Sequence, residues 1–439
     1  MKSFVFEGKL KTTLAVLMLV GFICLVLSWF AEPEAIADGH SHMRFWSNFL
    51  HNSVFFTGMA FLALFVLAAF TTAWAGWYSQ FKRLYESLSS FLIPGFFLML
   101  LIAGGLYGHY HHLYHWAAEG VTDINSPNYD KIIDGKSAFL NNSWYTFGTI
   151  IIVGLWILCW YKIRQHSLAE DVEGDDSYYH HKMIRRWSAA FLPIAAFTVC
   201  AVIWLWVMSI DPHWYSTLFA WYNAASLFVA MNALTILLLI WLKSKGYYPN
   251  VTDEHLHDLG KFLFAFSVFW TYLWFSQYML IWYSNNGEET IYFKQRVTDY
   301  PILWYGNLVI NFVLPFLILM RNSNKRKYGT LILVSILTFF GHWWDFFYMI
   351  KPGTFLYAQE LAHHHAGDAV SEAGHHASAP FTMGFSIPGF LEIGIGIGFL
   401  AFFLFITFST LAKAALIPEK DPYLEESYHH EVIQKESDH

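Results

Sequence analysis

The sequence predicts an all-α, polytopic membrane protein of ten transmembrane helices, from its composition, its recurring apolar runs and the uneven placement of its charges. Of 439 residues, 56% belong to the apolar set AVILMFWYC and 13% are charged, against roughly 45–50% and 25% in an ordinary soluble domain. Apolar stretches long enough to cross a hydrocarbon core of about 30 Å recur at 12–30, 50–70, 91–116, 139–161, 188–208, 216–242, 262–283, 301–320, 330–350 and 387–411. Helix is the expected element because an open sheet leaves its edge unsatisfied in lipid. Ten crossings put both termini on one side. Of the Lys and Arg residues, 20 fall on that side and only Arg44, Lys131, Lys136, Lys294, Arg296 and Lys351 on the other, so the termini are expected in the cytoplasm.

Each run adds something. Lys2, Lys9 and Lys11 before the first run, with Ala35-Ile36-Ala37 after it, resemble a signal peptide. The run is longer than a typical signal core, so it is expected to be retained as the first membrane helix. The second run opens on His51, and the third carries His109, His111, His112 and His115 towards its outer end. Cys24, Cys159 and Cys200 lie inside apolar runs with no CxxC or CxxCH spacing, which excludes a disulfide framework, an iron–sulfur cluster and a covalent haem c on this chain. Pro94, Pro193 and Pro315 read as kinks or caps near span ends. Gly394-x-Gly396-x-Gly398 in the last run reads as a close-packing face against another helix or subunit. The 351–386 stretch, with His363, His364, His365, His375 and His376, is expected to be a solvated outer loop, and 412–439 a cytoplasmic tail. His40, His42, His429 and His430 are likewise expected to be solvated, and no metal site is assigned. A net charge of −7 leaves no basic field for nucleic acid. The 20 tryptophans read as interfacial belts and packing.

Ionisable residues inside lipid are expensive, so each is a functional candidate. Across the ten runs there are only two carboxylates, Asp345 and Glu392, together with His51, His109, His111, His112, His115 and His342. Asp345 and Glu392 each lie five residues from the outer end of their run, about 7 Å deep at 1.5 Å per residue. Gln277 and Asn307 fall at similar depths. His342 and Asp345 are spaced i, i+3 and share a helix face, as do His109 with His112 and His112 with His115. A histidine beside a carboxylate takes up or releases a proton near neutral pH. The inner half offers only amides and hydroxyls, among them Asn232, Ser267, Thr271, Asn311, Ser335 and Thr338. The pattern therefore suits chemistry at the outer face with a water-assisted route inward. Haem b ligation by the 109–115 histidines is the lesser alternative, because paired ligands are expected on two buried helices at matched depths. The second and sixth runs begin alike, as His51-Asn52-Ser53 and Tyr222-Asn223-Ala224. This is the offset expected if helices 2–5 and 6–9 form two four-helix bundles flanked by helices 1 and 10.

The stretch His257-Asp258-Leu259-Gly260-Lys261-Phe262-Leu263-Phe264-Ala265-Phe266, continuing through Trp270, Phe275-Ser276-Gln277-Tyr278, Ile281-Trp282-Tyr283 and Glu288-Glu289-Thr290, resembles the NrfD/PsrC-like membrane subunits of alternative complex III. Asp211-Pro212-His213-Trp214-Tyr215-Ser216 and Gly341-His342-Trp343-x-Asp345 resemble the same subunits, so the likeness runs from about residue 45 to 411. Asn285-Asn286-Gly287 departs from relatives that tend to have a proline there.

The resemblance implies a ten-helix subunit of a respiratory quinol:cytochrome c or quinol:oxidase oxidoreductase in the bacterial inner membrane, more like the shorter of its two such subunits. The implied partners are the paralogous NrfD-like subunit, an iron–sulfur subunit, haem c subunits and membrane lipid. Haem c and iron–sulfur clusters are expected only on those partners, and quinone, quinol or phospholipid in an outer cavity. It also implies quinone-site or proton-pathway roles for His112, His342 and Asp345, with Gln277, Glu392 and His109 as further candidates. Two other readings are a structural paralogue without its own quinol site and a secondary transporter. Against the transporter, the runs show no paired Gly/Pro breaks at the midplane, and the polar groups gather at one face.

Overall fold

A computed structural model describes residues 3–39, 42–173, 177–366 and 380–431. Among the described residues the structure is all-helical (77% helix, no strand), with ten helices long and apolar enough to cross a membrane. They are α1 (Gly8–Phe30), α2 (Met43–Thr72), α3 (Ser79–Tyr107), α4 (Asn142–Glu173), α5 (Tyr179–Ile210), α6 (Leu218–Ser244), α7 (Asp253–Ser284), α8 (Pro301–Leu319), α9 (Tyr328–Ala366) and α10 (Phe390–Leu411).

Two closed rings of antiparallel neighbours form from this order. Helix α2 packs on α3 and α5, and α4 on α3 and α5; in the same way α6 packs on α7 and α9, and α8 on α7 and α9. Helices α2 and α6 face each other, joining the bundles, and both touch α9. Helices α1 and α10 form a pair lying on α2, held at the crossing of Gly21 and Gly398, where a Cβ on either residue would overlap the other's backbone. The glycine face expected from the sequence is thus used within the chain. The N-terminal segment meets the stretch that follows α10, Ser3 bridging to Ala415. The side that carries them is called here the terminal face, and the opposite side the far face.

Several expected boundaries move, each for a local reason. Helix α3 begins at Ser79 instead of near 91, because Lys82, Arg83 and Glu86, which break the apolar run, are buried in ion pairs. It ends at Tyr107, not 116. Gly108 and a left-handed His109 (φ 52°) stop it, and Tyr110 N donates back to Gly105 O at 3.0 Å, a Schellman-type ending. Helix α7 starts at Asp253, nine residues ahead of the apolar run that begins at 262, because Thr252 and His255 cap it and Asp253 and Glu254 suit its first turn. Pro315 lies near the end of α8, four residues before Leu319, as a kink and not a cap. It follows a π-helical turn, Val309–Val313, in the middle of α8. A proline has no N–H to give the carbonyl four residues earlier, here that of Asn311, and the wider turn absorbs the loss.

The supposed loop 351–386 begins as helix, since α9 runs to Ala366, and 380–389 is packed down with Phe385 buried. His40, His375 and His376 lie outside the described residues. The described part of the tail, to residue 431, is likewise packed. It carries a short helix, Leu424–Tyr428, with Asp421, Leu424 and Ser427 buried.

Candidate functional site

Asp345 is completely buried inside the second bundle, and every other helix of that bundle sends it a donor. From α6 come the Tyr222 hydroxyl, in short contact with Oδ1, and Ser226 Oγ at 2.8 Å from Oδ2. From α7 the Trp270 indole donates to Oδ2 at 2.9 Å, and from α8 Asn307 Nδ2 donates to Oδ1 at 2.5 Å. Four donors saturate what a carboxylate readily accepts. No Lys or Arg is among these partners. Burial favours the neutral acid while four donors favour the carboxylate, so neither protonation state is excluded by its surroundings.

His342 joins the same group through Ser226. Its Nδ1 lies 2.9 Å from Ser226 Oγ, and its Nε2, buried, has no hydrogen-bond partner. The serine hydroxyl has one proton. When it donates to Asp345 it accepts from His342 Nδ1–H, so once His342 has taken up a proton at Nε2, shifting both protons one bond along carries a proton from imidazolium to carboxylate and leaves a neutral imidazole, a neutral acid and an intact serine hydroxyl. The i, i+3 spacing of His342 and Asp345 makes this geometry possible, because it lets one residue on the facing helix reach both. Ser335 and Thr338 extend the same face of α9 towards the terminal side at spacings of seven and four residues from His342. The hydroxyls of Ser335 and of Ser267, on α7, are buried without partners, as places for bound water are.

The other sequence candidates go elsewhere. Glu392 belongs to a separate cluster at the far end of α10. Arg44 Nε and Nη2 grip it at 2.9 and 3.2 Å, Asn48 Nδ2 donates at 3.0 Å, and its Oε2 accepts from Gly389 N at 2.9 Å. This is a buried bidentate ion pair that also caps a helix start. Arg44 and Lys351, expected in outer loops, are instead buried or nearly so within α2 and α9, where Lys351 Nζ donates to Ser47 Oγ at 2.8 Å. Gln277 sits two turns beyond Trp270, accepting from Ser216 Oγ at 3.0 Å and donating to Leu273 O at 3.1 Å. His51 Nε2 bonds Trp343 O at 2.9 Å across the bundle junction.

His109, His111 and His112 are not on a helix and His115 only opens a short 3-10 turn, His115–Ala117, so the expected His109/His112 and His112/His115 faces do not form. His109 is exposed, His112 and His115 are half-buried, and none of them is among the hydrogen-bond partners of Asp345. His111 folds back to bond Ile102 O at 2.8 Å, and burial pushes its imidazole down to about 4, so it is neutral at physiological pH.

Sequence reasoning missed Ser226 as the bridge, and the i, i+4 spacing of Tyr222 and Ser226 is the signal that was available. It also missed an ion network at the terminal face. Arg83 and Arg164 both hold Glu86, at 3.1 and 3.2 Å, and Arg83 also reaches Asp171 at 2.5 Å. Lys82 lies between Glu170, at 3.3 Å, and Asp421 in closer contact. Glu170, His181 and Asp421 are near enough to one another to share a metal ion, but the Lys82 ammonium already supplies the positive charge there. Asp211, from the motif noted above, pairs with the buried Arg296 at 2.8 Å, and His213 with Asp130 at 2.5 Å, so this motif staples the far-face loops.

No family model matches the chain, and a search of curated proteins also returns no match.

Proposed function

We propose that this chain is an integral membrane subunit of a respiratory quinol:cytochrome c or quinol:oxidase oxidoreductase of the alternative complex III type, and that its second bundle exchanges protons. One observation carries the reading: a buried carboxylate held by donors from every other helix of its bundle, with no cation among them, and a hydroxyl bridge to a buried histidine. A structural core gains little from such an arrangement, because a buried carboxylate without a counter-charge is a net expense unless its protonation is used. Quinol oxidation releases two protons with its two electrons, and a base with an orienting partner is what that step requires. His342 is the base that takes up the proton, Asp345 its orienting partner and the group that exchanges the proton with it, and Ser226 the relay between them. Glu392, locked to Arg44, serves as a staple.

In this reading both termini are cytoplasmic, in a bacterial inner membrane, and the far face is the side of proton release. Quinone or phospholipid occupies the far-face side. Haem c and iron–sulfur centres belong to partner subunits, since the three cysteines here are dispersed and free.

The deciding experiment is affinity purification of the chain from its native membrane in mild detergent, followed by a reduced-minus-oxidised spectrum on adding quinol. Co-purifying haem c bands that quinol reduces are expected. A colourless chain that emerges alone refutes the respiratory assignment. Within the complex, Asp345→Asn is expected to lower quinol turnover by at least tenfold, and unchanged turnover makes the chain a scaffold paralogue.

A further inference from the structure

What decides that Asn307 turns its nitrogen, and not its oxygen, towards Asp345 lies one turn further along α8. The carbonyl of Gly341 on α9 can only accept, so an amide facing it must present nitrogen. Asn311 does so: its Nδ2 donates to Gly341 O at 2.9 Å and also to Asn307 Oδ1 at 2.5 Å. With its oxygen engaged, Asn307 has only its nitrogen left for Asp345 Oδ1, at 2.5 Å. The polarity of the whole chain, Gly341 to Asn311 to Asn307 to Asp345, is therefore set at a backbone carbonyl. Two local features make room for it. The π-helical turn Val309–Val313 contains Asn311, and a Cβ at Gly341 would overlap Asn311 Oδ1, which has no partner of its own.

We propose that Asn311 is a positioning residue of this site, acting through Asn307 to keep one donor permanently aimed at Asp345. It makes no hydrogen bond to the carboxylate itself. The inference rests on the reading of Asp345 as a proton-exchanging group.

The test is infrared difference spectroscopy of the full chain in lipid between two pH values, with the Asp345 carboxyl band identified by its loss in Asp345→Asn. Absence of any Asp345 band at every pH pair overturns the proton-exchange reading itself, and this inference with it. Given the band, Asn307→Ala displaces it by removing a donor. Asn311→Ala is expected to displace it in the same direction and by a comparable amount, because the released Asn307 amide no longer holds its orientation. The double variant should match Asn307→Ala alone, since Asn311 has nothing left to act through. Gly341→Ala deletes no polar group but pushes on Asn311 Oδ1, and is expected to reproduce the displacement in a chain that keeps every hydrogen-bonding side chain. A band left in place by both Asn311→Ala and Gly341→Ala, or displacements that add in the double variant, overturns the assignment.

Discussion

Asp345 and Asn are nearly the same shape, yet the structure gives them different environments. The four groups around the carboxylate all donate. An amide nitrogen placed among them meets a donor with a donor, so Asp345→Asn is expected to lower stability as well as activity, by about 1–3 kcal/mol for one buried polar clash. Thermal unfolding in detergent measures it. Tyr222→Phe removes one donor without adding one, and a hydrogen bond to a charged group contributes about 1.5–3 kcal/mol. The expected result is a loss of stability of similar size with a distinct change in the pH dependence of turnover. An unchanged pH profile in Tyr222→Phe counts against proton exchange at Asp345. His342 and Asp345 were both legible as candidates because lipid makes ionisable residues conspicuous. Tyr222, Ser226 and Trp270 were not singled out as donors, since each is common in membrane helices for reasons of packing alone.

At the scale of elements, hydropathy located ten helices but misjudged where charge is tolerated. Lys82, Arg83 and Arg164 fall outside the apolar runs, among the basic residues counted on the side of the termini, and they and Glu86 are buried because each finds an opposite charge on a neighbouring helix. The third helix ended early for a backbone reason, Gly108 with the left-handed His109, which periodicity does not register. In α8 the wide turn before Pro315 carries Asn311 to Gly341. Pro315→Ala restores the missing N–H and is expected to let the helix tighten. Helix content by circular dichroism should stay the same while quinol turnover falls severalfold. In the α1/α10 pair, Gly398→Leu is expected to separate the helices and reduce stability by more than an ordinary surface change, about 2 kcal/mol or more by the scale of overpacking. A shift in the unfolding midpoint checks it, with Gly8→Ala, where a Cβ meets open space, as the control.

Across the whole molecule, the terminal segment ties the two bundles together. Asp421 engages Lys82 at the base of the first bundle, Ser427 O accepts from Gln80 and His255 at 2.9 and 3.1 Å, and His430 reaches Asp258 at 2.9 Å at the start of α7. Burial acts to raise the Asp421 carboxyl, but the Lys82 ammonium outweighs it and holds the group below the ordinary range. Its folded value lies below the unfolded one, so its contribution is complete above the ordinary aspartate value of about 3.9 and is lost as pH falls through the lowered value. Cleavage of the tail by an acid-active protease is therefore expected to begin only below that ordinary value. In Asp421→Asn, cleavage at neutral pH by a neutral protease is expected, since the tail loses its ion pair to Lys82, which keeps only Glu170 as a counter-charge. The faint likeness of the second and sixth runs also acquires meaning at this scale. Asn52 and Asn223 each bond the carbonyl four residues back, at 2.9 and 2.8 Å, while His51 and Tyr222 beside them both reach α9. The two bundles thus present equivalent helices to α9, and only the helix of the second bundle, α6, binds the carboxylate that α9 carries.

The amino-acid sequence by itself determined the helical class, the ten spans and the pairing of His342 with Asp345, because these follow from hydropathy and from a repeat of 3.6 residues along one helix. It did not determine which of the far-side polar groups share a site. Glu392, Gln277 and His112 have depths and chemistry similar to those of Asp345, and what separates them is which helix faces which. That is settled by tertiary packing: α6, α7 and α8 close around one face of α9, and Glu392 on α10 is turned instead towards Arg44 on α2.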